Sequence, residues 1–197
     1  DMATLGLILP WMPRLKELNF DFSSVGDAGM QELCGGLGRG AAQSLRRLAC
    51  GDNQFGPAGA EALAAALRRG AMPKLAELHL GENVIGDQGV AALTPALKKL
   101  PALLHLDLGV CGIGDEGVAL LLDGLGKDDF KVLEKLYLDS NLLTDKGCAT
   151  VVSALKAGAL PAIKALCYPG DDEEMISEFA SEEACAAVDA ALQQRLA

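Results

Sequence analysis

Apolar residues along this chain follow two alternating periods. In Leu75–Leu80 the pattern Leu75-x-x-Leu78-x-Leu80 ends in strict alternation, which predicts a short strand with one buried face. A turn region with Asn83, Gly86 and Asp87 follows. After Gly89, Leu93 and Leu97 fall at +4 and +8, the spacing of one helix face. One strand, one turn and one helix cannot bury their own apolar faces, so the unit needs neighbours.

The neighbours are copies of it. Repeats start at Leu15, Leu45, Leu75, Leu103, Leu133 and Ile163, with steps of 30, 30, 28, 30 and 30 residues. The strand cores read LKELNF, LRRLAC, LAELHL, LLHLDL, LEKLYL and IKALCY. The ninth position is Ser23, Asn53, Asn83, Cys111 and Asn141, and the eleventh is Val25, Phe55, Ile85, Ile113 and Leu143. GDAG, GPAG, GDQG, GDEG and TDKG then close on Gly29, Gly59, Gly89, Gly117 and Gly147, and turn geometry explains these glycines. A helix is expected after each, with bases at its end (Arg39, Arg68, Arg69, Lys98, Lys99, Lys127, Lys156) complementing the helix dipole.

L-x-x-L-x-L-x-x-N/C-x-L with a following helix and this period resembles the leucine-rich repeats, specifically the ribonuclease-inhibitor-like class. That class also holds the repeat regions of nucleotide-oligomerisation-domain-like receptors and the Ran GTPase-activating proteins. The resemblance covers roughly residues 5–170. It departs at Ser23 for Asn, at Phe20, Cys50 and Tyr168 for the third Leu, and at Thr144 for Gly. It implies an α/β leucine-rich-repeat solenoid, a horseshoe with a parallel concave sheet and convex helices, and ninth-position Asn side chains bonded to loop backbone groups.

The chain divides accordingly. Residues 1–14 read as the tail half of a preceding repeat, since Leu5 and Leu9 align with Leu93 and Leu97. Without a polar cap at that end, the chain reads as a fragment or as having its N-terminal face covered. Residues 15–170 carry the repeats. Residues 171–197 read as an acidic helical C-terminal cap, opened by Ser181 as N-cap; a free acidic interaction tail is the other reading.

Charge sharpens this division. The tail from 171 holds eight acids and one base, whereas the first 170 residues hold 19 acids and 16 bases. Neither part has the basic face of a nucleic-acid binder. No apolar run is long enough for a membrane span. Glycine is 23 of 197 residues, an excess that repeated turns explain. The six cysteines show no metal-ligand spacing, and free thiols in a reducing compartment imply a cytoplasmic protein.

Strand alternation also predicts which residues line the concave face. Position three reads Glu17, Arg47, Glu77, His105, Lys135 and Ala165; position five reads Asn19, Ala49, His79, Asp107, Tyr137 and Cys167. Position seven reads Asp21, Gly51, Gly81, Gly109, Asp139 and Pro169, the glycines leaving a groove floor. The charges could serve only as ladder pairs that keep the sheet soluble. The other reading is a recognition surface, formed by Glu17, Asn19, Arg47, Glu77, His79, His105, Asp107, Lys135, Tyr137 and Asp139. Both histidines fall in the densest part of it.

Chemistry fits this row poorly. A metal needs three or four ligands converging on a point, and parallel strands hold side chains apart, so no metal or other cofactor is expected. Cys167 is too far from His79 for a nucleophile–base pair, and no phosphate-binding glycine loop is present. The sequence therefore reads as a non-enzymatic scaffold that binds another protein on its concave face, with no nucleic acid and no membrane. The alternatives are a fragment of a Ran-type GTPase-activating protein, or the sensing repeat region of a larger receptor. Activity of the Ran-type family is associated with an Arg in a strand-to-helix loop, and the loops from GDNQFGPAG to DSNLLTDKG hold none.

Overall fold

The computed structural model describes residues 1–126, 128–167 and 180–196. Lys127, Tyr168, Pro169 and the acidic run 171–179 lie outside the described residues. Six three-residue strands, β1 (Glu17–Asn19), β2 (Arg47–Ala49), β3 (Glu77–His79), β4 (His105–Asp107), β5 (Lys135–Tyr137) and β6 (Ala165–Cys167), pair in sequence order into one open sheet, parallel throughout. Between them run α2 (Gly26–Gly35), α3 (Pro57–Arg68), α4 (Gly86–Leu97), α5 (Asp115–Leu122) and α6 (Asp145–Lys156). The layer is completed by α1 (Met2–Ile8), packed on α2, and by α7 (Glu182–Leu196), packed on α6.

The core lies between sheet and helices. Leu48, Leu78, Leu106 and Leu136 from the strand centres meet Leu63, Leu93, Leu121 and Val151 from the helices, all at most 2% exposed. Phe55, Ile85, Ile113 and Leu143 at position eleven are fully buried beside them. At the N-terminal end Leu7, Ile8 and Trp11 stay exposed.

Helices begin earlier than the spacing predicts. Gly59, Gly89, Gly117 and Gly147 lie within the first helical turn, not ahead of it. Their reason is close approach. A Cβ on Gly117 would stand 2.3 Å from Asp87 Oδ1, one on Gly147 2.5 Å from Asp115 Oδ1, and one on Gly59 2.9 Å from Asp27 Oδ1. Each carboxylate accepts hydrogen bonds from the start of the next helix. Asp27 Oδ1 takes the amides of Gly56 and Gly59, both at 2.7 Å; Asp87 Oδ1 takes Gly114 N at 2.7 Å. Asp115 accepts Thr144 N at 2.9 Å and the Thr144 hydroxyl at 2.7 Å. Helix N-termini carry orphan amides and partial positive charge, so a carboxylate satisfies both. The pattern extends to Asp145, which accepts Ser181 N at 2.7 Å, while Ser181 Oγ accepts Ala184 N and caps α7. Pro57 replaces the aspartate in the second repeat, and α4 receives no such acceptor from α3.

The asparagines fasten the stack in the opposite direction. Asn83 Oδ1 accepts Asn53 N (3.0 Å) and Phe55 N (3.3 Å) from the preceding repeat, and its Nδ2 donates to the carbonyls of Cys50, Leu80 and Gly81. Asn53 serves Ser23 and Val25 likewise, and Asn141 serves Cys111 and Ile113. These side chains are at most 4% exposed, so they meet the rule that buried backbone groups find partners. Cys111 stands in for Asn in the fourth repeat and donates weakly to Leu80 O and Gly109 O. Arginines close the helix ends: Arg69 donates to Cys34 O of α2 and to Leu37 O just beyond it, and Arg195 to Leu155 O of α6 and to Gly158 O just beyond it.

Candidate functional site

Parallel pairing sets the concave rows in register. Glu17, Arg47, Glu77, His105, Lys135 and Ala165 are successive partners, as are Asn19, Ala49, His79, Asp107, Tyr137 and Cys167. The central strand residues turn inward, so these neighbours share the open face.

Five of the expected residues form one continuous chain of charge. Arg47 Nη1 lies 3.3 Å from Glu17 Oε1, and Arg47 Nε lies 3.7 Å from Glu77 Oε2. Glu77 Oε2 is 3.8 Å from His79 Nε2, and His79 Nδ1 is 3.5 Å from Asp107 Oδ2. Asp107 is held in turn, since its Oδ1 accepts Gly109 N at 3.0 Å. Register sets Glu77 between Arg47 and His105; the side chain leans toward Arg47 and toward His79 of its own strand. His105, Lys135 and Tyr137 continue the rows half-buried, and His105 and Lys135 make no ion pair with another described residue. Asn19 is turned to its own loop, accepting Asp21 N at 2.9 Å, and Asp139 stands over Gly109.

Two expectations for this face need correction. Ala49, counted among the exposed positions, is fully buried, standing between the longer Asn19 and His79. The glycine floor is roofed as well. Asp21 Oδ1 accepts Gly51 N at 2.6 Å, and a Cβ on Gly81 or Gly109 would stand 3.2 Å from Asp107 Oδ1 or 2.9 Å from Asp139 Oδ2. The glycines make room for neighbouring carboxylates, not for a visiting backbone.

The electrostatics of His79 follow from its seat. Its hydrogen bond to Asp107 raises its pKa above 6.5, with the charges of Asp107 and Glu77 helping, while burial and Arg47 oppose. His79 Nε2 and Arg47 Nε are both covered from solvent without a hydrogen-bond partner, each facing Glu77 Oε2. One ring nitrogen is thus engaged with a carboxylate and the other is shielded. A general base needs a nitrogen within reach of substrate, and His79 offers none in this conformation. Elsewhere, burial pushes the thiols of Cys34, Cys111 and Cys148 up to about 12, and Cys50 is also raised. Thiols so raised are poor nucleophiles. Among the described residues no group of three or more His, Cys, Asp or Glu could hold a metal ion, and no helix is long and apolar enough to cross a membrane.

Sequence comparison places the repeats. A family model described as "Leucine Rich repeat" matches residues 13–34, 41–64, 71–93 and 99–122, in step with the first four repeats. The chain is a leucine-rich-repeat protein. No curated protein sequence matches it significantly. In three dimensions this leucine-rich-repeat protein is similar to the tropomodulin C-terminal domain of Caenorhabditis elegans, at 13% identity and a TM-score of 0.54, over 100% of this chain and 93% of that one. It also aligns with a structure described as leiomodin-1 actin-binding site 2, at 14% identity and a TM-score of 0.49, over 99% of this chain and 87% of that one. At such identities the likeness is one of fold.

Some residues of consequence escape a reading of periodicity. The aspartates of GDAG, GDQG, GDEG and TDKG look like turn formers, yet they hold the next helix. Their signal was recurrence at one fixed position. Apolar Phe22, Val84, Val110 and Leu142 sit at positions eight and ten, which the repeat gives to turns, and all four are exposed.

Proposed function

We propose that the chain is a non-enzymatic protein-interaction module of the ribonuclease-inhibitor-like type, working in the cytoplasm, whose partner lies across the concave sheet. The observation that carries this reading is the continuous chain Glu17–Arg47–Glu77–His79–Asp107 on the open face of a sheet whose other face is core. At its centre Arg47 Nε and His79 Nε2 are covered and reach only Glu77 Oε2, at 3.7 and 3.8 Å, so a partner that draws the Glu77 carboxylate aside would uncover both for its own acceptors. Recognition would then combine charge complementarity along the row with Tyr137 as a half-buried aromatic anchor. Asn19, His105, Lys135 and Asp139 would extend the contact to both sides. In this reading residues 171–197 close the array as a cap, and the ligand is neither a nucleic acid nor a membrane.

The test is affinity capture from a cell lysate with the parent chain and with His79→Ala/Asp107→Ala/Tyr137→Ala, read by quantitative mass spectrometry. Specific proteins lost by the variant support the concave face. Equal recovery of every specific protein refutes it.

A further inference from the structure

The concave face is not the only surface whose residues the fold leaves unexplained. Where the chain leaves each strand and turns toward its helix, positions eight and ten line one edge of the solenoid. Position eight has left-handed backbone in the five repeats where it is described, with φ between 46° and 58° at Phe22, Asp52, Glu82, Val110 and Ser140. Glycine or asparagine suits that conformation, and a β-branched side chain suits it worst. Val110 occupies it nonetheless, 48% exposed, and Phe22 does so at 74%. At position ten Val84 is 68% exposed and Leu142 47%. Neither backbone conformation nor burial accounts for these choices.

Three of the four fall in consecutive repeats on this edge. In the first two repeats the position-ten side chains touch, Gln54 Nε2 lying 3.4 Å from Ser24 Oγ. Val84, Val110 and Leu142 belong to consecutive repeats, and Leu142 N donates to Ile113 O across the last junction. Between Val84 and Leu142, position ten is the exposed Gly112, where an added Cβ would meet nothing within 4 Å. The result is an apolar notch about 10 Å across, two strand spacings, with Val110 beside it.

Its electrostatic setting is one-sided. The five strand-to-helix segments (21–28, 51–58, 81–88, 109–116 and 139–146) hold nine acids and a single base, Lys146. The helix-to-strand segments of the opposite edge (12–16, 36–46, 69–76, 98–104, 123–134 and 157–164) hold ten bases and four acids among the described residues. Four of the nine acids are the aspartates fixed on helix starts, where the helix dipole offsets part of their charge; of the other five, Asp21, Asp52, Glu82 and Asp139 stand without that offset. We propose that this strand-exit edge is a second docking surface, and that it takes a Lys/Arg-rich segment of another protein carrying an aliphatic or aromatic anchor that seats between Val84 and Leu142. The charge supplies steering and orientation, and the notch supplies the desolvated anchor.

The experiment is a random-peptide display selection on the full chain, followed by anisotropy titration of the selected peptides. Titrations use the parent, Val84→Ser/Leu142→Ser, Val110→Gly and the concave variant His79→Ala/Asp107→Ala/Tyr137→Ala. Expected are peptides combining Lys or Arg with Leu, Ile, Phe or Trp. Their affinity should fall about tenfold or more in the double-serine variant, as for loss of an anchor, weaken with salt, and stay unchanged in the concave variant. Val110→Gly should bind more weakly while melting higher, because it relieves the left-handed valine; a purely structural role would not separate the two readouts. Selected peptides without net positive charge, equal binding to the double-serine variant, or no enrichment would overturn the proposal. Loss confined to the concave variant would overturn it too, while supporting the concave reading.

Discussion

Replacing Asn83 with alanine tests how the repeats are fastened. The side chain is 3% exposed and makes five hydrogen bonds. Alanine would leave the amides of Asn53 and Phe55 without their acceptor. On the donor side the loss is cushioned, because Leu80 O also accepts Cys111 Sγ and Gly81 O also accepts Asp52 N. Two stranded amides and one stranded carbonyl, that of Cys50, are the relevant count. At ~1–3 kcal/mol per buried unsatisfied group, with some relief from water entry, Asn83→Ala should cost about 4 kcal/mol. That is a large share of the ~5–15 kcal/mol typical of a folded domain. Urea unfolding followed by far-UV circular dichroism reads it directly, with exposed Gln54→Ala as a control expected within about 0.5 kcal/mol of the parent. An Asn83→Ala midpoint corresponding to a loss below about 1 kcal/mol, at unchanged slope, would show that the loop amides are satisfied without the ladder.

Two further outcomes follow from the same geometry. Gly117→Ala should destabilise by about 1–3 kcal/mol despite alanine's better helix propensity, because its Cβ meets Asp87 Oδ1; in a double-mutant cycle Asp87→Ala should recover part of that loss, and strict additivity would refute the close-approach account. For His79 the folded pKa is raised, so its stabilisation is fully present below the unfolded value of 6.5 and is lost as pH rises through the folded value. Relative to His79→Gln, the parent should gain stability on acidification from neutral pH, visible in melting temperature against pH; parallel profiles would remove the Asp107 bond as its cause.

The leucines carried the fold legibly. Leu78, Leu106 and Leu136 fixed both the buried face and the register, so the order of partners from Glu17 to Ala165 could be written down from spacing alone. Register fixes which Cα atoms are adjacent but not which rotamers meet. Glu77 neighbours Arg47 on one side and His105 on the other, and it leans to the cation and to His79 on its own strand. The helix starts were misplaced for a different reason. A glycine inside the first turn looks the same in sequence as a glycine in the preceding loop, and only the 2.3 Å approach at Gly117 shows what excluded a side chain. The exposed row of Val84, Val110 and Leu142 was invisible because periodicity assigns apolar residues to the core by default.

The first and fourth junctions are clasped from both sides, Asp27 and Asp115 reaching forward to the next helix and Asn53 and Asn141 reaching back to the previous loop, while the second keeps only Asn83 and the third only the carboxylate of Asp87. A repeat is therefore an exchangeable part with its connectors, where present, at fixed positions. Excision of residues 45–74 would bring Asp27 against the start of α4, supplying the carboxylate that Pro57 withholds, and would set Asn83 against the amides of Ser23 and Val25. In such a fold, arrays lengthen or shorten by whole units, and the recognition row changes by two side chains at each step while its scaffold stays intact.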